Sequence, residues 1–331
     1  MKYPLFRGHW PLQNIKPPFI PPDRRGLPGW TAIEPEHSFH IHYNTINYNN
    51  TEPLMNYLQT TFTPGQQRIL RHIQVNIPFT MLVENQWLKF FTGSGLNPEI
   101  GLDAAALDGF SLSAYKDIAN TFHQLNRTIT LHGPFLDLSP GSLDPKIRDL
   151  TRHRLDQLLD AVTVFRPVSV VCHAGYDHTR YGFCKEQWMG NTIATWEWMG
   201  KALRERGTRL MLENVYETDP AEMVEIFKHL DTTRIGHCLD VGHQSVFGKS
   251  SLEKWLTLMG NYIGHIHLHD NAGDRDSHLG MGKGNIRFDP LFDFLKQLPK
   301  LPVVALEPHE KEDFLASLAY LEQSDFLSLL P

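Results

Sequence analysis

The sequence predicts an α/β protein, a (β/α)8 TIM barrel with an irregular Pro-rich N-terminal extension. Three observations carry this reading. From about residue 71, short β-branched runs alternate with polar–apolar helical stretches. The alternation yields eight strands over about 255 residues, the count and length of a closed parallel barrel. Six successive strands then end in Asp, Glu or His.

The strands are read at Ile73–Phe79, Glu99–Leu102, Thr128–His132, Val168–His173, Arg209–Glu213, Ile235–Asp240, Ile263–His267 and Val303–Glu307. Helical periodicity falls between them, at Leu112–Gln124, Pro145–Phe165, Gln187–Arg206, Pro220–Leu230, Leu252–Met259 and Lys311–Gln323. Runs such as VSVVCH and PVVALE are nearly all apolar, as strands covered on both faces are. An open doubly wound sheet is the competing architecture, but no GxGxxG or P-loop follows any strand.

Residues 1–53 hold nine of the 22 prolines, with KPPFIPP at 16–22 and no sustained period. Residues 1–70 are therefore read as an irregular appendage and 71–331 as the barrel. A short helical stretch is expected near Glu52–Leu58. The pair His40-Ile-His42 alternates as a metal-binding strand would, though one HxH carries little weight.

A net charge of −6 and a pI near 6.3 give no global basic field, so nucleic acid is not the expected partner. Cys172, Cys184 and Cys238 are too few and too scattered for a disulfide framework. Cys172 and Cys238 adjoin candidate ligands and are expected to point away from them by strand alternation. The N-terminus lacks an apolar signal core, and no run approaches the ~18 apolar residues of a membrane span. The expectation is a cytoplasmic protein without a membrane partner. Nothing in the sequence sets the oligomeric state.

Eighteen histidines among 331 residues acquire meaning from their positions. Strand three ends TLHG at His132, strand four VCHAG at His173 and strand five MLEN at Glu213. Strand six ends CLDVGH at Asp240, with His243 three residues on. Strand seven ends HIHLHD at His267, and strand eight ALEP at Glu307. Strand C-termini of a barrel converge on one rim. A single such residue is ordinarily a structural hydrogen-bonding group or a helix cap. Six in succession on apolar strands need something that offsets their burial, and metal coordination does so. The donors are nitrogen and oxygen without thiolate, which suits zinc, with manganese as an alternative. The loop HDNAGDRDSHLGMGKGNI (269–286) adds Asp276 and His278 above the same centre.

The motifs LENV (212–215), LDVGHQ (239–244), HLHD (267–270), DSHLGMGKGNI (276–286) and LEP (306–308) resemble the superfamily that joins endonuclease IV, of AP endonuclease family 2, with the xylose isomerase-like barrels. The resemblance spans roughly 72–325. The endonuclease IV pattern implies one metal held by His132, His173 and Glu213, and a second held by Glu213, Asp240, His267 and Glu307. It implies a third held by His243, Asp276 and His278, with all nine ligand types matched here. Sugar isomerases and epimerases of the superfamily keep one metal, at positions matching Glu213, Asp240, His267 and Glu307, with His243 contacting substrate. They usually carry arginine where this chain has His278.

The nine-ligand set points to a multi-metal phosphoester hydrolase, phosphodiesterase-like, holding two or three divalent ions. Several cations suit phosphoester hydrolysis because they acidify a water and neutralise ester charge. Glu213, Glu307 and His243 are the expected catalytic residues; Phe135, Asn214, Arg275 and Lys283 are expected to contact substrate. The rim loops SPGSLDPK, YDHTRYG, YETDP and NAGDRD are mixed or acidic, and Phe135 stands where the DNA-contacting tyrosine of the pattern would be. A small phosphoester is therefore preferred to DNA. The alternatives are a one-metal sugar or sugar-phosphate isomerase/epimerase, and a barrel that keeps metal only for structure or binding.

Overall fold

The computed structural model describes residues 60–331. The stretch Glu52–Leu58 and the pair His40/His42 lie outside the described residues. Eight strands close into one parallel barrel in sequence order: β1 (Gln74–Pro78), β2 (Asn97–Gly101), β3 (Thr130–His132), β4 (Ser169–His173), β5 (Arg209–Glu213), β6 (Ile235–Asp240), β7 (Ile263–Leu268) and β8 (Val303–Leu306). Closure is made by β8 on β1, with Gln74 opposite Ala305 and Val75 opposite Leu306.

Four expected helices, Leu112–Gln124, Pro145–Phe165, Leu252–Met259 and Lys311–Gln323, form with the bounds read from the sequence. Pro145–Phe165 illustrates why. Asp144 caps its first turn through Lys146 N, Pro145 takes a position that needs no donor, and Arg166 ends it in the left-handed region. Its buried face, including Leu155, Leu158, Leu159, Val162 and Phe165, repeats at helical spacing and packs into the core.

The helices expected at Gln187–Arg206 and Pro220–Leu230 form at Lys185–Arg204 and Pro220–Phe227, and two further differences have a clear physical cause. The barrel's packing begins before residue 71, with a helix at Pro64–Leu70 that buries Ile69 and Leu70 and packs on Lys311–Gln323. Its signal was local: Thr63 and Gln66 make a capping box, each side chain accepting from the other's backbone N at 3.1 Å, with Pro64 at the first position. Strand β2 begins at Asn97, two residues earlier than expected. Asn97 and Pro98 are disfavoured in strands, but the buried Asn97 amide donates to Leu70 O and Ile73 O and accepts from Thr128 N. It ties the lower end of the barrel together.

Inside the barrel, Val171, Met211 and Cys238 form a small apolar layer of their own. Each lies two residues before a candidate ligand, His173, Glu213 or Asp240, and so shares its face. Cys172 lies in the larger outer core, as expected, but Cys238 does not point away from the ligands. It precedes Asp240 by two positions and its thiol faces His267. Burial pushes that thiol well up, so it stays protonated and apolar in character. Among the described residues, no helix is long and apolar enough to cross a membrane.

Candidate metal centre

The strand ends bring six side chains to one point at the C-terminal rim, and Glu213 is its hub. Its Oε2 lies 3.1 Å from His132 Nε2 and 3.4 Å from His173 Nε2. Its Oε1 lies 3.1 Å from His243 Nδ1 and 3.3 Å from His267 Nδ1. One carboxylate thus faces two nitrogen groups with its two oxygens, the arrangement a bridging ligand requires. His267 Nδ1 also lies 3.2 Å from Glu307 Oε1 and 3.7 Å from Asp240 Oδ2.

Ring orientation is set from outside. His132 Nδ1 donates to Gly133 O at 2.9 Å, His278 Nδ1 to Glu307 O at 2.9 Å and His243 Nδ1 to Asn214 O at 3.1 Å. Each bond fixes Nε2 as the nitrogen that faces inward, as metal-ligating histidines are oriented by a second partner. His267 runs the other way: its Nε2 lies 2.9 Å from Glu99 Oε1, which turns Nδ1 toward Glu213.

Electrostatics follow from the packing. Burial pushes Glu213 up, but His267, with hydrogen bonds from His132 and His243, holds it well below the usual carboxylate range. Asp240 is held low against burial by His243 and His269. Burial drives His173 down to about 3, so it presents a neutral nitrogen. Against burial, Asp276 raises His278 to about 9.

Asp276 and His278 come from the loop after β7. His278 adopts φ +48°, a conformation strained for a side-chain-bearing residue, and its Nε2 lies 3.2 Å from Asp276 Oδ2. His243 Nε2 reaches the same oxygen at 3.2 Å. Asp270 shapes the loop by accepting from the backbone N of Asn271, Gly282, Gly284 and Ile286.

The donor set fits divalent metal ions. His132, His173 and Glu213 bring donor atoms within 4.8 Å of one another, as do Glu213, Asp240 and His267, and His132, His267 and Glu307. Buried Asp276 Oδ1 has no hydrogen-bond partner, and neither ring nitrogen of His267 has one, a state that a bound cation would relieve. All nine ligand candidates lie in this one assembly.

The substrate-contact expectations fare less evenly. Phe135 stands over the centre, its ring 6.1 Å from His132 and 5.6 Å from His173. Arg275 is exposed beside Asp276. Asn214 is 1% exposed and its amide pairs with β6, donating to Asp240 O and accepting from Asp240 N, so it is buried as a support of Asp240 rather than presented to substrate. Lys283 pairs with Asp313 Oδ1 at 3.2 Å and with Glu312 O at 3.3 Å.

Four polar residues were missed: Glu99, His265, His269 and His309. Glu99 is fully buried beneath the centre, with His265 Nε2 3.1 Å from its Oε2, Thr130 donating to it and Asn76 linking it to Glu307. His269 sets its Nε2 3.2 Å from both Asp240 oxygens. His309 stacks on His278 with centroids 4.1 Å apart. A signal existed for two of them. In HIHLHD, His265, His267 and His269 alternate and therefore share one face.

The family model described as the xylose isomerase-like TIM barrel matches residues 96–324. The chain belongs to that family. Its fold is similar to the TTHB071 protein from Thermus thermophilus, in crystals soaked with ZnCl2, at TM-score 0.65 and 26% identity over 76% of this chain and 96% of the other. It is similar also to a D-tagatose 3-epimerase-like protein, at TM-score 0.65 and 25% identity, covering 78% of this chain and 98% of that one. A probable endonuclease 4 of Mesomycoplasma hyopneumoniae is 32% identical over 106 residues, 26% of this chain and 38% of the relative.

Proposed function

We propose that this xylose isomerase-like barrel is a multi-metal phosphoester hydrolase acting on a small phosphoester rather than on DNA. The observation that carries the reading is the two-sided Glu213, with His132 and His173 at one oxygen and His267 at the other. A one-metal isomerase has no use for the His132/His173 side. In this reading His132, His173 and Glu213 hold one ion, Glu213, Asp240, His267 and Glu307 a second, and the loop residues with His243 a third. The ions, zinc or manganese, would supply Lewis acidity: they acidify water and neutralise charge on the ester.

The chain's own residues supply the rest. Glu213, kept ionised by His267, His132 and His243, stands between the two inner positions. Glu99 and the carbonyls of Gly133, Asn214 and Glu307 lock the ring orientations, so no reorganisation is needed when a substrate arrives. Phe135 walls the His132/His173 side, its ring packed against both imidazoles. Arg275 is the exposed cation nearest Asp276 in sequence and suits a phosphate oxygen, whereas Lys283 is held by Asp313. The overall negative charge and rim loops that are mixed or acidic favour a small ester over a nucleic-acid backbone.

The second reading, a one-metal sugar isomerase or epimerase, is favoured by Glu213 and Glu307 meeting at His267 Nδ1 and by the likeness to the epimerase-like structure. Two carboxylates there could share acid–base work. The test is an activity panel of a chromogenic phosphodiester, an abasic-site oligonucleotide and a set of ketoses, alongside metal content per chain. Phosphodiester turnover with two or three ions supports the first reading. Ketose turnover alone, with one ion, overturns it.

A further inference from the structure

The outer cluster presents four donors rather than the three that the superfamily pattern implies. We infer that His243 Nε2, His269 Nδ1, Asp276 and His278 Nε2 form a closed four-ligand site for a zinc-like divalent ion, a clasp on the 269–286 loop rather than an open Lewis acid. This rests on reading the centre as multi-metal.

The first argument is proton placement. His269 Nε2 lies 3.2 Å from both oxygens of Asp240, which only accept, so the ring proton sits there and Nδ1 is a lone pair. That Nδ1 is buried without a hydrogen-bond partner, and so is Asp276 Oδ1, 3.7 Å away. Two acceptors facing each other at this separation call for a cation between them. Metal–ligand distances of about 2.0–2.1 Å fit such a gap. His243 and His278 reach the same carboxylate with Nε2, their Nδ1 protons being spent on Asn214 O and Glu307 O, so a divalent ion that displaces the Nε2 protons would find both nitrogens facing it. The four donor atoms lie within 4.8 Å of one another.

The second argument is room. A Cβ on Gly242 would lie 1.9 Å from Cε1 of His269, so the ring occupies its place only because that residue is glycine. The ligand count then sets the role. Sites with four protein ligands are structural, whereas catalytic sites keep a position open. His269 and His278 are now stacked 3.8 Å apart at 4°. Parallel rings cannot both aim in-plane lone pairs at one ion, so loading must tilt one of them.

The experiment strips the full chain of metal, reloads it with Zn²⁺ or Co²⁺, and records stoichiometry, the affinity of each equivalent, imidazole ligands by X-ray absorption, and hydrogen exchange of 269–286. In wild type the outer equivalent is expected to protect the loop. His269→Asn is expected to weaken that equivalent more than about a hundredfold, beyond the 10–100-fold typical of supporting residues, and to leave the inner ions in place. Asp276→Asn, which leaves the Asp240–His269 contact intact, should do the same, and guards against a fold defect in the first variant.

If His269→Asn keeps the outer ion within twofold while Asp276→Asn loses it, the site has three ligands and the inference is wrong. If His269→Asn costs an inner ion instead, His269 acts through Asp240, and the inference is again wrong. A wild type that takes a single inner ion overturns both this and the hydrolase reading. A loaded outer site with no phosphodiester turnover overturns the hydrolase reading alone.

Discussion

Glu213, Asp240, His267 and Glu307 stand at the ends of β strands or directly after them, while Asp276 and His278 stand on the loop after β7. The first set is 0–8% exposed and is placed by barrel closure: Asp240 sits opposite His267 in register, and Glu213 opposite His173. The second set is only partly buried and is placed by side-chain-to-backbone bonds within the loop, chiefly those of Asp270. The difference teaches that one centre uses two kinds of rigidity. Strand ends cannot move without opening the sheet. A loop holding two ligands, one of them strained at φ +48°, must be held from within or by a bound ion.

The largest expected effect falls on the inner side. Glu213→Gln removes the hub carboxylate and should lower turnover by about a thousandfold or more, the scale seen when one member of a cooperating catalytic set is lost. Elemental analysis should find both inner ions depleted with the outer one retained. Intact activity in this variant would break the assignment of the centre.

Next comes a pH effect at the rim. Burial raises Glu217 to about 7 from 4.5, although its oxygens accept from Tyr176 N and Val215 N. The folded state then holds a proton that the unfolded chain releases, so stability falls as pH rises from about 4.5 to about 7. The slope is at most about 1.4 kcal/mol per pH unit. Denaturant melts of Glu217→Gln against wild type should show that slope flattened. Metal affinity of the inner pair should be unmoved.

Asp270→Asn tests the loop's internal support. It trades a charged acceptor of backbone N–H groups for an amide and should cost about 1–3 kcal/mol. Hydrogen exchange should rise across 271–286, with the outer ion weakened and the inner pair kept. Equal weakening of all ions would erase the distinction between the two regions. The smallest effect is expected from Lys283→Ala. Its half-exposed pair with Asp313 is worth about 0–1 kcal/mol, and KM should not change, since the ammonium faces Asp313 and Glu312 O rather than the candidate ligands.

Much of this was legible in the chain. Strand ends were readable because an apolar run that stops at His132, Glu213 or Asp240 states both where the strand ends and which side chain is left at the rim. The HIHLHD run was legible in type but not in depth. That His265 lies on the barrel floor against Glu99, His267 at the centre and His269 above it depends on how β7 meets β2 and β6 across the barrel, and the β6–β7 register shifts between His237 and Cys238. Residue type also concealed how groups are spent. Asn214 and Lys283 look like substrate contacts in a motif, yet their hydrogen bonds close on Asp240 and Asp313.

The sequence alone determined the barrel and the ligand types, because hydrophobic periodicity is local and fixes strand, helix and facing side chain together. The tertiary structure decided which nitrogen of each imidazole faces inward and which carboxylate is shared. It also decided that His269 fits against Gly242. Most of those choices depend on partners 26 or more residues distant in the chain, and only closing the sheet brings such atoms within hydrogen-bonding reach.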